Sequence, residues 1–198
     1  PYWLGALIIL IITVYVAYTG GMRGTAWTNI FQGALMIVVV IALAMILYRA
    51  VGGAAEIKAG LPDKMISMGG KGIQSPGYWI PFSLLNTGFS NGVIAHMLIR
   101  NMSAKSPRAI QTNIRVYPLL VGGFFFVVLS IGTWGSILIP GLEGTAVDNI
   151  VPMLAERFAP VWMGGILGAG VLSAIMSSWD GMLLAISSVF FDDMVKTL

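Results

Sequence analysis

The sequence has no cysteine, one histidine and few charges. Of its 198 residues, 10% are charged and 57% are hydrophobic. A soluble domain usually carries about 25% charged residues. Without cysteine there are no disulfides and no thiolate chemistry, and the compartment cannot be read from that absence. The net charge of +3 is small, and no basic patch is interleaved with aromatics, so nucleic acid is not an expected partner. Charge is missing most conspicuously from several runs longer than the roughly 20 residues that cross a bilayer. These absences exclude an ordinary soluble domain. We expect an all-α polytopic membrane protein whose solvent is the lipid bilayer.

Five spans are expected in one membrane domain, at about 2–18, 27–48, 78–100, 116–138 and 160–190. The chain starts at Pro1 on the edge of an apolar run and stops soon after another. It is therefore expected to be an internal piece of a longer protein, with missing upstream and downstream helices as its nearest partners. Between the first two spans, Thr19 to Gly24 reads as a glycine-rich turn carrying Arg23. Residues 50–76 read as a loop in which AAEIKAGL can form a short surface helix. Ser103 to Arg115 reads as a short basic loop. In the connection 141–159, Val147, Ile150, Val151, Leu154 and Phe158 recur at helical spacing, which predicts a short amphipathic helix lying at the surface.

Two spans carry polar residues where lipid offers them no partner. Pro81, Asn86, Thr87, Gly88, Ser90, Asn91 and Gly92 interrupt the third. A broken helix at membrane depth is tolerated where it lines a cavity or is covered by protein. In transporters such breaks point to the binding site. A merely kinked helix, with its polar residues bonded to neighbouring helices, is the alternative. His96 lies in the same span. It fits a proton relay, a contact to transported solute, or a neutral histidine bonded within the bundle.

The last span, Val171 to Phe191, organises the reading. Gly170, Ala174, Ser177, Ser178, Gly181, Ala185 and Ser188 recur at steps of three and four and form one stripe of small residues. Leu172, Ile175, Trp179, Leu183, Ile186 and Phe190 lie opposite. A small-residue stripe lets another helix approach closely. Ser177 and Ser178 place two hydroxyl oxygens at its middle. They either hold something polar or bond back to carbonyls one turn earlier.

The segment AIMSS, followed by Asp180, then LL and SS, resembles a helix of the sodium/solute symporter family, sodium-coupled carriers of proline, pantothenate, monocarboxylates and sugars. The resemblance implies that the Ala174 carbonyl and the Ser177 and Ser178 hydroxyls are sodium ligands, with no other cofactor. YTGGMRGTAWTNIFQ resembles a second segment of the family through Trp27, Thr28 and Gln32, with Asn29 where the family usually has Asp. Trp27 also fits an interfacial anchor, and Thr28 an N-cap for the helix after it. HMLIRNMSAKS resembles a third family segment through His96 and Arg100, with Ala95 in place of a proline. The resemblance covers essentially the whole chain and implies part of an inverted-repeat, LeuT-type transporter core.

The expected function is symport of a small organic solute, an amino acid, vitamin or monocarboxylate, driven by sodium across the cell membrane. The solute is expected around Asn86, Thr87, Phe89, Ser90 and Asn91. Asp180, Trp27, Thr28 and His96 are expected at gates or at the ion's exit, with Asp180 within reach of water. Two alternatives are an intramembrane enzyme using His96 as base and a structural membrane subunit. The enzyme needs a second acid or nucleophile near His96, and Asp180 is the candidate, on another helix. The structural subunit has no need of paired hydroxyls beside a broken helix.

Orientation follows from the positive charges. Arg100, Lys105, Arg108 and Arg115 stand in a short stretch without an acid, which places that stretch in the cytoplasm. In the whole protein, Gly72→Cys and Gly144→Cys should then react with an impermeant thiol reagent added outside intact cells, and Ser106→Cys should not. Labelling of Ser106→Cys from outside would reverse the topology.

Overall fold

The computed structural model describes residues 2–62 and 75–196. Lys64, Lys71 and Gly72 of the expected outer loop lie outside the described residues. The helices are α1 Tyr2–Val51, α2 Ala54–Gly60, α3 Pro76–Val93, α4 Ala95–Met102, α5 Pro107–Leu138, α6 Ile150–Phe158 and α7 Val161–Val189. A 3₁₀ turn, Gly144–Asn149, precedes α6, and α7 runs on into a π-helical turn, Phe190–Val195. Three helices are long and apolar enough to cross a membrane among the described residues, lying in α1, α5 and α7.

The turn expected at Thr19–Gly24 is reduced to one residue. Gly21 has φ 50° and ψ −151°, inside an otherwise helical α1. Only a residue without Cβ adopts that backbone at low cost. A Cβ on Gly24 would lie 3.8 Å from the carbonyl oxygen of Val16. An unbroken helix separates residues eight apart by about 12 Å. The chain therefore turns back sharply at Gly21, and α1 is two apolar arms. Thr19 stays helical, its hydroxyl donating to the Tyr15 carbonyl at 2.7 Å.

The third expected span is split, but later than its polar residues suggest. α3 is helical from Pro76 through Val93, including Asn86 to Gly92. The interruption is Ile94, extended at φ −65° and ψ 117°, and α4 starts after it. Asn, Ser and Thr tolerate helical backbone when their side chains need not bond it. Gly92 is a poor helix former, and the β-branched Val93 and Ile94 follow it, where extended backbone is comfortable. α5 corrects the sequence reading in the other direction. It starts at Pro107, so most of the expected basic loop is helix. The Ala109 N–H donates to the Ser106 hydroxyl at 3.3 Å, and Pro107 fills the first helical position, where a missing N–H costs nothing.

The chain divides into two compact units. One comprises residues 1–36, 91–110 and 168–198, the other 37–90 and 111–167. The second unit has an aliphatic core. Val39, Leu43, Ala44 and Leu47 of α1, Ile131 of α5, Leu154 and Ala155 of α6, and Met163 and Leu167 of α7 are buried in it. The amphipathic α6 is present as expected, with Leu154 fully buried, Ile150, Val151 and Phe158 half-buried, and Glu156 and Arg157 lying further out. It docks on α5 at Gly135, where a Cβ would lie 2.6 Å from Ile150 Cδ1 and 2.9 Å from Leu154 Cδ1. Tyr48 and Trp134 add a tilted ring contact at 5.6 Å. In the first unit, by contrast, the buried side chains described are Thr13, Thr25, Asp180 and Ala185. Three of these four are polar or charged, which sets this unit apart as the place to look for a ligand.

Three substitutions, one of them a control, test these readings in the purified whole protein. Gly135→Leu overpacks the α5–α6 contact and should cost about 1–3 kcal/mol, read as a lower thermal midpoint. Gly132→Leu, on the same helix with open space around its Cβ, should leave the midpoint unchanged or raise it. Gly21→Ala should cost about 1–3 kcal/mol through backbone strain alone. An unchanged midpoint would remove the sharp turn.

Candidate cation and solute site

The Val171–Phe191 stretch forms the second half of α7 and its π-helical continuation. Gly170, Gly181 and Ala185 are buried, and Ala174 and Ser177 are half-buried. These residues form the core of the expected stripe, with Ser177 in the middle of it. Ser178 and Ser188 are exposed, so the stripe is narrower than its residue types suggest. The helix turns 100° per residue, and residue 178 lies beyond the edge of the face centred on 174, 177 and 181.

The Ser178 hydroxyl donates to the Ala174 carbonyl at 3.2 Å. This is the back-bonded arrangement open to a membrane serine. It also joins two of the three atoms singled out as cation ligands. A hard cation of calcium's size takes oxygens at roughly 2.3–2.6 Å, so adjacent ligands at right angles around it would lie about 3.3–3.7 Å apart. The pair is thus within a few tenths of an ångström of the spacing that two ligands of one ion share. Because Ser178 is exposed, no part of the described chain seals both hydroxyls. The donor set is carbonyl and hydroxyl oxygen, which suits alkali and alkaline-earth cations better than transition metals. Among the described residues, no group of three His, Cys, Asp or Glu side chains could hold a metal ion.

Asp180 follows two residues later and is 2% exposed. Within this chain the carboxylate is buried rather than at the surface. Asp180 lies three residues beyond Ser177, on the inward face, and the burial that covers Gly181 covers it too.

The second α1 arm carries Trp27 and Thr28. Trp27 is 67% exposed, as a lipid-facing or interfacial ring would be. Thr28 is not an N-cap. The helix already runs through it, and its hydroxyl donates back to the carbonyls of Thr25 at 2.9 Å and Gly24 at 3.3 Å. Two residues that the sequence reading left without a role stand out here. Asn29 Oδ1 and Gln32 Oε1 are buried and accept no hydrogen bond among the described residues, as is also true of Thr13 Oγ1. Their signal was in the sequence, as the polar members of WTNIFQ at helical spacing. A cavity of about 320 Å³ is lined by Met22, Thr25, Ala26, Asn29 and Ser103. Thr25 and Ser103 donate their only hydroxyl protons to the carbonyls of Met22 and Ile99, at 3.1 and 2.7 Å. Their remaining lone pairs can only accept.

The expected solute residues lie on α3. Asn86 is exposed. The side chains of Thr87, Phe89, Ser90, Asn91 and His96 lie outside what the structure describes. Their backbone is helical, with Ile94 between Asn91 and His96.

Comparison with known proteins places these features in one family. The sodium:solute symporter family model matches residues 1–198. The sodium/pantothenate symporter of Haemophilus influenzae is 28% identical over 194 residues, covering 96% of this chain and 40% of that protein. The sodium/pantothenate symporter of Escherichia coli is 29% identical, with 98% and 40% covered. The sodium/proline symporter of Escherichia coli is 26% identical, with 98% and 39% covered. The chain thus spans about two-fifths of the length of these relatives. No solved structure matches it. A family match over every residue, on a chain of long apolar helices with paired serines on the last of them, leads to one conclusion: the chain belongs to the sodium:solute symporter family.

Proposed function

We propose that this chain is part of a sodium-coupled symporter that moves a small organic solute across the cell membrane. The observation that carries the reading is the Ala174 carbonyl and Ser178 hydroxyl at 3.2 Å, open to the surface of a membrane helix. Ser177 stands beside them. The names of the relatives point to pantothenate or proline as the class of solute, an organic acid or amino acid. The family and these relatives are symporters, not enzymes.

Sodium is a co-transported substrate in this reading. Removing it from water is costly unless several oxygens replace its shell. α7 offers three: Ala174, Ser177 and Ser178. The rest come from a part of the carrier outside this chain, since the chain covers about two-fifths of its relatives. Five spans follow if both α1 arms cross and if α3 with α4 forms one interrupted span. They then make part of a LeuT-type inverted-repeat core. Solute binds near Asn86–Asn91, where the chain approaches the Ile94 interruption, and His96, Trp27, Thr28 and Asp180 serve gating or ion exit. Coupling is a difference of affinities. Sodium favours the arrangement that also fits the solute, and the inward sodium gradient then drives uptake.

Uptake of radiolabelled pantothenate and proline by cells expressing the whole carrier, with and without sodium, tests the function directly. Uptake indifferent to sodium would refute it. Ser178→Ala removes one oxygen from a desolvated cation, a loss of about 1–3 kcal/mol. The sodium concentration for half-maximal uptake should rise about 5- to 150-fold, with surface expression little changed. Unaltered sodium dependence would leave Ser178 as a back-bonded structural serine.

A further inference from the structure

α5 has 32 residues, about 48 Å at roughly 1.5 Å per residue. The hydrocarbon core is only about 30 Å thick. If the apolar part after Arg115 crosses it, the first turns of the helix stand in the headgroup layer. Arg115 sits at that junction. It is exposed, and no ion pair to it occurs among the described residues. Four residues share one narrow face of the helix, at steps of four, three and four: Arg115, Leu119, Gly122 and Phe126. Leu119 is 78% exposed and Phe126 is 73% exposed. Gly122 lies between them, and a Cβ added there would meet nothing within 4 Å. The face is therefore a cation, an apolar side chain, a gap the width of a glycine, and a ring.

We propose that this face seats one anionic phospholipid, with its phosphate on the Arg115 guanidinium and an acyl chain in the gap at Gly122 between Leu119 and Phe126. The proposal rests on the reading that α5 spans the membrane. Charge complementarity selects the occupant. A guanidinium binds phosphate oxygens in a planar fork. The sequence adds Lys105 and Arg108 upstream and no acid between residues 100 and 115, so the local field favours an anion. An apolar chain running from the same end of the helix matches the change from charge to hydrocarbon along the face. A protein helix laid there would have to bring an acid to the same depth as Arg115.

The test uses the whole carrier in nanodiscs of phosphatidylcholine with and without phosphatidylglycerol, and counts retained lipids by native mass spectrometry. Wild type should retain a phosphatidylglycerol that phosphatidylcholine does not replace. Arg115→Gln should weaken that retention about fivefold, from the roughly 1 kcal/mol that one basic residue contributes near an anionic surface. Arg115→Lys should keep most of it. Gly122→Leu, which meets open space in the fold, should lower retention by filling the acyl gap while leaving thermal stability intact. Millimolar inorganic phosphate should not compete. Equal retention in all variants, or full competition by phosphate, would overturn the seat. So would cross-linking of Leu119→Cys to another segment of the carrier or to a second copy. The spanning reading is checked separately, by accessibility of Ser106→Cys and Gly144→Cys from opposite sides, so its failure is distinguishable from failure of the lipid seat.

Discussion

The constraint on which the rest depends is the backbone's need for hydrogen bonds where water is absent. Each unsatisfied peptide group in hydrocarbon costs several kcal/mol, so apolar segments are helices and interruptions are confined. Two interruptions follow this rule. At Gly21 the change of direction is compressed into a single residue. At Ile94 one extended residue separates α3 from α4. Polar side chains obey the same rule. Thr19, Ser130, Thr133, Ser136 and Ser187 each donate to a carbonyl three or four residues earlier, so their hydroxyls add no uncompensated polarity to an apolar surface. Against this background the acceptors left over at Thr13, Asn29 and Gln32 are exceptions. All three belong to the unit whose buried side chains are mostly polar.

Much of the architecture was legible because apolar length and period are strong signals. The α7 span, the stripe through Gly170, Ala174, Ser177, Gly181 and Ala185, and the amphipathic α6 all follow from spacing. Boundaries were less legible. Ser106 and Pro107 are a cap and a first helical residue, but in a run with Lys105, Arg108 and Arg115 they read as loop. The charges of Arg108 and Arg115 belonged to exposed helical turns rather than to irregular chain. The break in the third span was misplaced for a related reason. Polarity reads as interruption, although Asn86 to Gly92 fit a helix and the extended residue is the apolar Ile94. At the site, residue types indicated which oxygens stand together, but not that Ser178 is exposed while Asp180 is buried. That depends on which side of α7 its neighbours cover.

The two units differ in what they bury. In the unit of residues 37–90 and 111–167, leucines and one close helix approach at Gly135 make an aliphatic core. Interiors of this kind resist small displacements. The unit of residues 1–36, 91–110 and 168–198 buries two threonines, an aspartate and an alanine instead. Buried polar groups specify an arrangement only when all their partners are present. In this unit the atoms without a hydrogen-bond partner among the described residues are Thr13 Oγ1, Asn29 Oδ1 and Gln32 Oε1.

If the Ala174 carbonyl and the Ser178 hydroxyl hold the proposed ion, the bond between them bears on how that ion is released. A carrier must bind its ion tightly enough to load and weakly enough to unload. Carboxylate cages hold cations strongly, and when empty they leave like charges facing one another. A hydroxyl behaves differently. On that proposal, with the ion gone Ser178 would turn its proton to the Ala174 carbonyl, as in the structure, and neither oxygen would be stranded. With the ion present, the same rotor would point its proton away and present a lone pair, and the carbonyl would keep its helical N–H bond. The net cost of the exchange would be one neutral hydrogen bond, about 1 kcal/mol. Both states would then be open to the fold without moving α7. Serine, with its single rotatable donor, can serve both states at this position; alanine lacks the ligand and aspartate would leave a charge behind.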